Sequence, residues 1–308
     1  IWYLCCQGMG NNTESGWLPN PFGNEKITLR SYFELLNFKA NHRKTMVVDT
    51  VDGWKALVSS MNPHDGSSRH SNVALLVQGK TALDVLQTEQ AVGAMSKANL
   101  PAVITGEFEE AKILPQVQVL TEGAIYQAVL DSIKSSQKAG VEIDIAMFYL
   151  SERQIIQQLI AAHKRGVKIR VLLDPNKDAF GRTKNGIPNR PVAAELNNAG
   201  IDVRWCNTQG EQCHSKMLLK RDMYTTQLIL GSANFTARNL KNYNLETDLN
   251  VIGGRDAQVF TQANQYFNRA WSNLDGRQMS VPYRQYADES KLKYALYRFM
   301  EWSGLSTF

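Results

Sequence analysis

The feature that most constrains the fold is a duplicated order of elements. His42 to Asp49 and Trp54 to Met61 carry the alternation of strands and flank Thr50-Val51-Asp52-Gly53, which predicts a hairpin. A strand from Asn72 to Gln78 and a helix from Thr81 to Ser96 follow. The same order returns about 170 residues later. There His214 to Arg221 and Thr226 to Ala233 form a hairpin turning around Asp222, Leu245 to Ile252 a strand, and Asp256 to Trp271 an amphipathic helix. A repeat at that distance implies duplicated domains and not a solenoid.

More elements lead into the second copy. Ile125, Val129, Leu130 and Ile133 recur at helical spacing, and Val141 to Tyr149 reads as a strand. A helix opens at Ser151, turns Ile155, Ile156, Leu159 and Ile160 inward, and stops at Gly166. Val167 to Leu173 is a buried strand closed by Asp174-Pro175; after a polar loop (175–191), Val192 to Asn198 reads as helix and Ile201 to Trp205 as strand. Strands alternating with helices build a sheet covered by helices. The second copy has about 95 residues ahead of His214, counted from near Val119, whereas only 41 precede His42. The expectation is an α/β protein of two similar lobes, each a mixed β-sheet flanked by helices, facing across one site. Residues 1–112 form an N-terminally truncated first lobe, 113–275 the second, and 276–308 a helical extension. In that extension Tyr283, Tyr286, Leu292, Tyr294, Leu296, Tyr297 and Met300 fall at roughly helical spacing, read as core packing, with membrane contact as the alternative.

Composition narrows the class. With 43% hydrophobic and 20% charged residues in 308, the chain is neither disordered, collagenous nor a coiled coil. No apolar run approaches the roughly 20 residues of a membrane-spanning helix. The first residue is Ile1, so an initiator, signal peptide or anchor is expected upstream. A net charge of +5 favours anionic partners, but no Lys/Arg block resembles a nucleic-acid-binding tail. Cys5, Cys6, Cys206 and Cys213 include no C-x-x-C pair; Cys206 and Cys213 are either a disulfide or two buried thiols.

The two hairpins share chemistry as well as order. The first reads Asn41-His42-Arg43-Lys44, with Asp49 further along and Ser59-Ser60-Met61-Asn62 on the return. The second reads Cys213-His214-Ser215-Lys216, with Asp222, then Gly231-Ser232-Ala233-Asn234. A two-residue period puts His and Lys on one face of the first strand, and Ser and Asn likewise on its neighbour. That set suits a phosphodiester. Lys44 and Lys216 offer charge to the non-bridging oxygens, while Asn62, Asn234, Ser60 and Ser232 offer neutral donors. With the copies face to face, one of His42 and His214 attacks phosphorus to form a phosphohistidine. The other protonates the leaving alcohol, then activates water or an acceptor alcohol. The lysines, amides and hydroxyls take up the developing charge, so the scheme needs no metal and no cofactor.

These motifs resemble the phospholipase D superfamily, whose signature, H-x-K-x4-D followed by G-S-x-N, usually occurs twice. His42, Lys44 and Asp49 fit the first spacing, with Ser59 where glycine is expected. Gly231-Ser232-x-Asn234 fits the second, but the acid Asp222 comes one residue late and Arg221 holds the expected position. Residues 35–44 and 231–246 also resemble bacterial phospholipase D-like and cardiolipin-synthase-like proteins. The resemblance implies a hydrolase or phosphatidyltransferase acting on phospholipid, with water or an alcohol as acceptor, at a membrane surface. It implies a membrane-associated or extracytoplasmic setting and a structural role for the motif aspartate. Counting back seven from Gly253 and Gly79 places Glu246 opposite Asn72. In the family a carboxylate after S-x-N often backs the catalytic imidazole, which implies Glu246 behind His214, and Asn72 or His70 behind His42. His214 is then the better stabilised imidazolium, while the resemblance favours His42 as nucleophile; the residues leave both assignments open.

Two rivals stand beside this reading. A nuclease of the same chemistry is opposed by the missing basic block. A silent lipid- or anion-binding protein is opposed by two intact histidine–lysine pairs. His64 and His70, in a polar loop beside the site, read as surface or substrate contacts and not as metal ligands. His163 reads as a helix C-terminal charge. The loop 174–190 is long enough to gate the site or read a headgroup, or is simply a surface loop. The residues carry no signal for oligomeric state.

Overall fold

The computed structural model describes residues 18–19, 26–27, 40–96, 98, 115–137, 139–179, 182–304, 306 and 308. Cys5, Cys6, the stretch 35–39 and the proposed boundary at 112/113 lie outside the described residues. Two short strands, β1 (Leu18–Pro19) and β2 (Lys26–Ile27), pair with each other. Then β3 (Thr45–Thr50), β4 (Gly53–Ser59) and β5 (Ala74–Gln78) form an antiparallel sheet followed by α1 (Lys80–Met95). Next come β6 (Gln116–Thr121), α2 (Glu122–Lys134), β7 (Glu142–Met147), α3 (Arg153–Lys164) and β8 (Lys168–Leu173). A minimal hairpin, β9 (Asp178–Ala179) with β10 (Arg182–Thr183), precedes α4 (Asn189–Asn198). The remainder is β11 (Asp202–Cys206), β12 (Lys216–Arg221), β13 (Thr225–Gly231), α5 (Ala237–Leu240), β14 (Thr247–Gly254), α6 (Gln258–Ser272), β15 (Ser280–Pro282) and α7 (Lys291–Ser303).

Eight strands form one mixed sheet in the order β15-β11-β8-β7-β12-β13-β14-β6. Only β7, β8 and β11 run parallel, because α3 and α4 provide the crossovers that parallel neighbours require. The α/β architecture therefore stands. Of the five described strands within residues 1–112, β1 pairs with β2, and β3, β4 and β5 form a sheet that is antiparallel throughout. Among the described residues that sheet lacks the strand–helix–strand units that generate parallel pairing. Edge strand β6 was not foreseen: Gln116-Val117-Gln118-Val119 alternates, but only its pairing with β14 makes it a strand.

Each face of the large sheet has its own core. On one face Ile125, Val129 and Ile133 of α2 and Ile155, Ile156 and Leu159 of α3 pack with Ile143, Ile145 and Leu218. Glu152 caps α3 by accepting from the backbone N–H of Ile155 at 2.9 Å, and Gly166, at φ 92°, ends the helical region. On the opposite face Phe260, Ala263 and Phe267 of α6 share a cluster with Ala56 and Val58 of β4 and Ala82 and Val85 of α1. The small sheet is thus pressed against the face opposite α2 and α3.

Two departures from the repeat have local causes. Arg221, at the expected aspartate position, donates to Asp144 Oδ2 at 2.6 Å, while Arg170 donates two hydrogen bonds to the same carboxylate at 2.7 and 2.8 Å. Asp144 is 1% exposed, so one buried anion on β7 is shared by two guanidinium groups. The late acid, Asp222, accepts from the N–H groups of Tyr224 and Thr225 and shapes the hairpin turn. The second departure is Ser59 in place of Gly231. Gly231 faces Asp248, and a Cβ there would lie 2.4 Å from both Asp248 Oδ1 and Thr247 O. Ser59 faces Ala74. Its hydroxyl accepts from Met61 N–H at 2.9 Å, doing what the Asp248 carboxylate does for Ala233 N–H at 3.0 Å.

Gly231→Ala should therefore force β13 from β14 and cost about 1–3 kcal/mol in urea unfolding. Asp144→Ala takes from Arg170 its carboxylate and leaves the buried Arg221 with Glu142 alone, and should cost about 3–5 kcal/mol in the same assay.

Candidate active site

The two histidine–lysine pairs stand where β3 and β12 begin, His42 and Lys44 just ahead of β3, and His214 ahead of Lys216, the first residue of β12. Backbone pairing sets them in a two-fold arrangement across the lobes. His42 N–H donates to Leu245 O at 2.9 Å and Leu245 N–H to Ala40 O at 3.0 Å. The mirror pair is His214 N–H to Ser71 O and Ser71 N–H to Gln212 O, each 3.0 Å. Each histidine segment is thus laced to the segment entering the other lobe's third strand, and the four motifs meet at one place.

The imidazoles follow the same crossing. His42 Nδ1 lies 2.9 and 3.0 Å from the two oxygens of Glu246, and His214 Nδ1 lies 3.1 Å from Asn72 Oδ1. This reverses the expected pairing, in which Glu246 backed His214 and Asn72 or His70 backed His42. Repeat alignment places partners within one copy, whereas each imidazole projects over the interlobe seam and is met from the other copy. His70 lies beside His214 instead, with ring centroids 5.9 Å apart, and its Nδ1 accepts from Gln212 N–H at 3.0 Å.

Ser60 and Ser232 also take a different task from the expected phosphate contact. Ser232 Oγ donates to Glu246 Oε2 at 2.5 Å and accepts from Thr247 N–H at 3.0 Å. Ser60 Oγ donates to Asn72 Oδ1 at 3.3 Å and accepts from Val73 N–H at 3.0 Å. Both hydroxyls are committed to the group that holds a histidine. Asn72 is a holder as well: its amide NH2 donates to Ser67 O and His70 O at 3.1 Å, so its oxygen must face His214. Asn239, absent from the sequence reading, donates to the Glu246 carboxylate. Its only sequence signal was its place within the 231–246 stretch.

Asp49 does not join the site. It is exposed at the far end of β3, paired in register with Trp54, about five residues and so roughly 17 Å along the strand from Lys44. The spacing that made it part of a motif places it at the hairpin turn.

Both lysines are buried, Lys44 at 7% and Lys216 at 1% exposure. Lys44 Nζ donates to His42 O at 2.5 Å and Lys216 Nζ to His214 O at 2.9 Å. Lys216 also lies over the Phe148 ring, whose centroid is 4.9 Å from that of His214. Burial pushes Lys44 down to about 8, and burial together with the neighbouring Lys44 holds Lys216 well below the ordinary lysine value. Burial also raises Asp248 to about 7. His214 is held well below the usual imidazole value by burial and then by Lys216 and Lys44. Burial lowers His42 too, opposed by its bond to Glu246. Asn234 Oδ1 is buried and has no hydrogen-bond partner among the described residues, and Asn62 is half-buried on the matching return. Cys206 and Cys213 form a disulfide, settling that alternative, and Cys213 N–H donates to Asp174 Oδ2 at 2.8 Å immediately ahead of His214.

Comparison with known proteins matches this architecture. Residues 129–271 match the family described as cardiolipin synthase, PLD-like domain. The mouse protein named mitochondrial cardiolipin hydrolase is 27% identical over 137 residues, covering 44% of this chain and 55% of the mouse protein. The human protein of that name is 27% identical over the same length, 48% of its own. The chain thus spans about half the length of the curated relatives it matches. The crystal structure of phosphatidylserine synthase from Haemophilus influenzae superimposes with a TM-score of 0.58 at 14% identity, over 86% of this chain and 69% of that one. Residues 129–271 are thus similar to the PLD-like domain of the cardiolipin synthase family.

Proposed function

We propose that the protein transfers the phosphatidyl group of a phospholipid, to water or to an alcohol, through a phosphohistidine. The observation that carries this reading is the crossed pair of histidines, each fixed through Nδ1 by the opposite lobe and each keeping Nε2 for chemistry. Phospholipid as the substrate class is supported by the relatives named cardiolipin hydrolase.

The unequal partners divide the labour. An amide oxygen accepts but cannot give a proton, so Asn72 keeps the hydrogen of His214 on Nδ1 and a lone pair on Nε2. Lys216 and Lys44 further disfavour a protonated His214. His214 is the nucleophile in this scheme. Glu246 favours the imidazolium of His42, making His42 the acid. In the first step a P–N bond forms at His214 as the P–O bond to the leaving alcohol breaks, and His42 delivers its proton to that oxygen. In the second, neutral His42 takes the proton from water or an acceptor alcohol, whose oxygen attacks phosphorus as the P–N bond breaks. Lys44, Lys216, Asn62 and Asn234 surround the phosphoryl oxygens. Ser60, Ser232, Asn72 and Glu246 are positioning residues. The disulfide supports an oxidising, extracytoplasmic setting. Among the described residues no helix is long and apolar enough to cross a membrane.

Incubation with phospholipid labelled at phosphorus and acid–base stability analysis of the trapped adduct tests the assignment. His42→Ala should retain an acid-labile, base-stable phosphoenzyme with an activated leaving group, and His214→Ala should form none. The reverse pattern exchanges the roles. Glu246→Gln should lower the His42 pKa, moving the high-pH fall of kcat/KM toward lower pH; an unmoved limb removes His42 as the acid.

A further inference from the structure

We propose that the outward face of α7 docks the protein onto an anionic phospholipid bilayer, a surface that rests on the phospholipid reading above. The inner face of this helix is committed to the fold: Tyr297 is buried, and Tyr294 and Met300 pack on the core of α2 and α3. Its outer face carries Leu292, Leu296, Phe299 and Trp302, exposed by 79, 42, 52 and 83%. Three of these stand at i, i+4 and i+7, and the Trp302 ring lies 6.1 Å from that of Phe299. Single exposed apolar residues are ordinary; four large ones along one helix, ending in an aromatic pair, form a patch that needs a partner.

Charge identifies the partner. Lys291 and Arg298 are exposed on the same helix and Arg284 just before it, whereas the one acid within the helix, Glu301, turns inward to accept from Ala237 N–H at 2.7 Å. Lys293 is held by Asp288, and Glu289 is the neighbouring exposed acid. Apolar and aromatic side chains fringed by cations are what an interfacial helix presents to acyl chains and anionic headgroups. Position gives the contact a use. The Glu301 bond fixes α7 to the start of α5, and Asn239 within α5 donates to Glu246 at the site. Docking through Phe299 and Trp302 would thus seat on the bilayer a helix bonded to the segment that holds the Glu246 carboxylate.

The test is co-sedimentation of the whole chain with phosphatidylcholine vesicles, with and without phosphatidylglycerol. Binding should favour the anionic vesicles and weaken with salt. Leu292→Ser/Phe299→Ser/Trp302→Ser should lower the partition coefficient by about tenfold or more, and Lys291→Glu/Arg298→Glu should remove the preference for phosphatidylglycerol. Unchanged circular dichroism and turnover of a monomeric short-chain phospholipid would show both variants folded. Equal vesicle binding by the triple variant overturns the proposal. So does concentration-dependent self-association of the parent chain that the triple variant loses, which would give the face to a second copy. If the parent binds vesicles through α7 yet turns over no short-chain phospholipid, the docking surface stands and the proposed activity falls.

Discussion

Each histidine is held in place by the opposite lobe, and the rest of the site is organised around that exchange. His42 depends on Glu246 and His214 on Asn72, with backbone bonds from His42 to Leu245 and from His214 to Ser71 running alongside. An imidazole held only through its own strand could swing about its side-chain torsions. Fixing Nδ1 from across the seam sets both tautomer and direction. The serines are drawn into the same task, Ser232 bonding Glu246 and Ser60 bonding Asn72.

The site's electrostatics follow from its burial. Two lysines and two histidines share a space where each cation disfavours the next, and desolvation adds to that cost. Glu246 and Asp248 are the buried carboxylates closest in effect to the lysines. A phosphodiester would add negative charge where the protein has concentrated the opposite sign, which is electrostatic preorganisation built before substrate arrives.

Much of this was legible in the residues. Alternation located both hairpins, helical spacing located α2, α3 and α6, and doubling turned a weak H-x-K into a specific constellation. Three things were not legible, for physical reasons. The crossing of partners belongs to the docking of two lobes, while alignment of repeats relates residues only within their own copies. The place of Asp49 depends on strand length, because five residues of extended chain carry a side chain far from the lysine it follows in sequence. Ser60 and Ser232 offer the same hydroxyl to a phosphate or to a neighbouring carboxylate or amide, and only the position of Glu246 and Asn72 beside them decides.

The exchange of Gly231 and Asp248 for Ser59 and Ala74 bears on how a duplicated protein ages. In one half a carboxylate satisfies the N–H after the motif and leaves no room for a side chain opposite; in the other a hydroxyl does so from the motif strand itself. Either solution works whole, and a mixture fails, with a clash in one direction and an unpaired N–H in the other. Once such paired changes accumulate, the halves stop being interchangeable parts. Recombination between them is penalised by packing, and the two are free to diverge further, as the carboxylate of Glu246 and the amide of Asn72 already do at matching places.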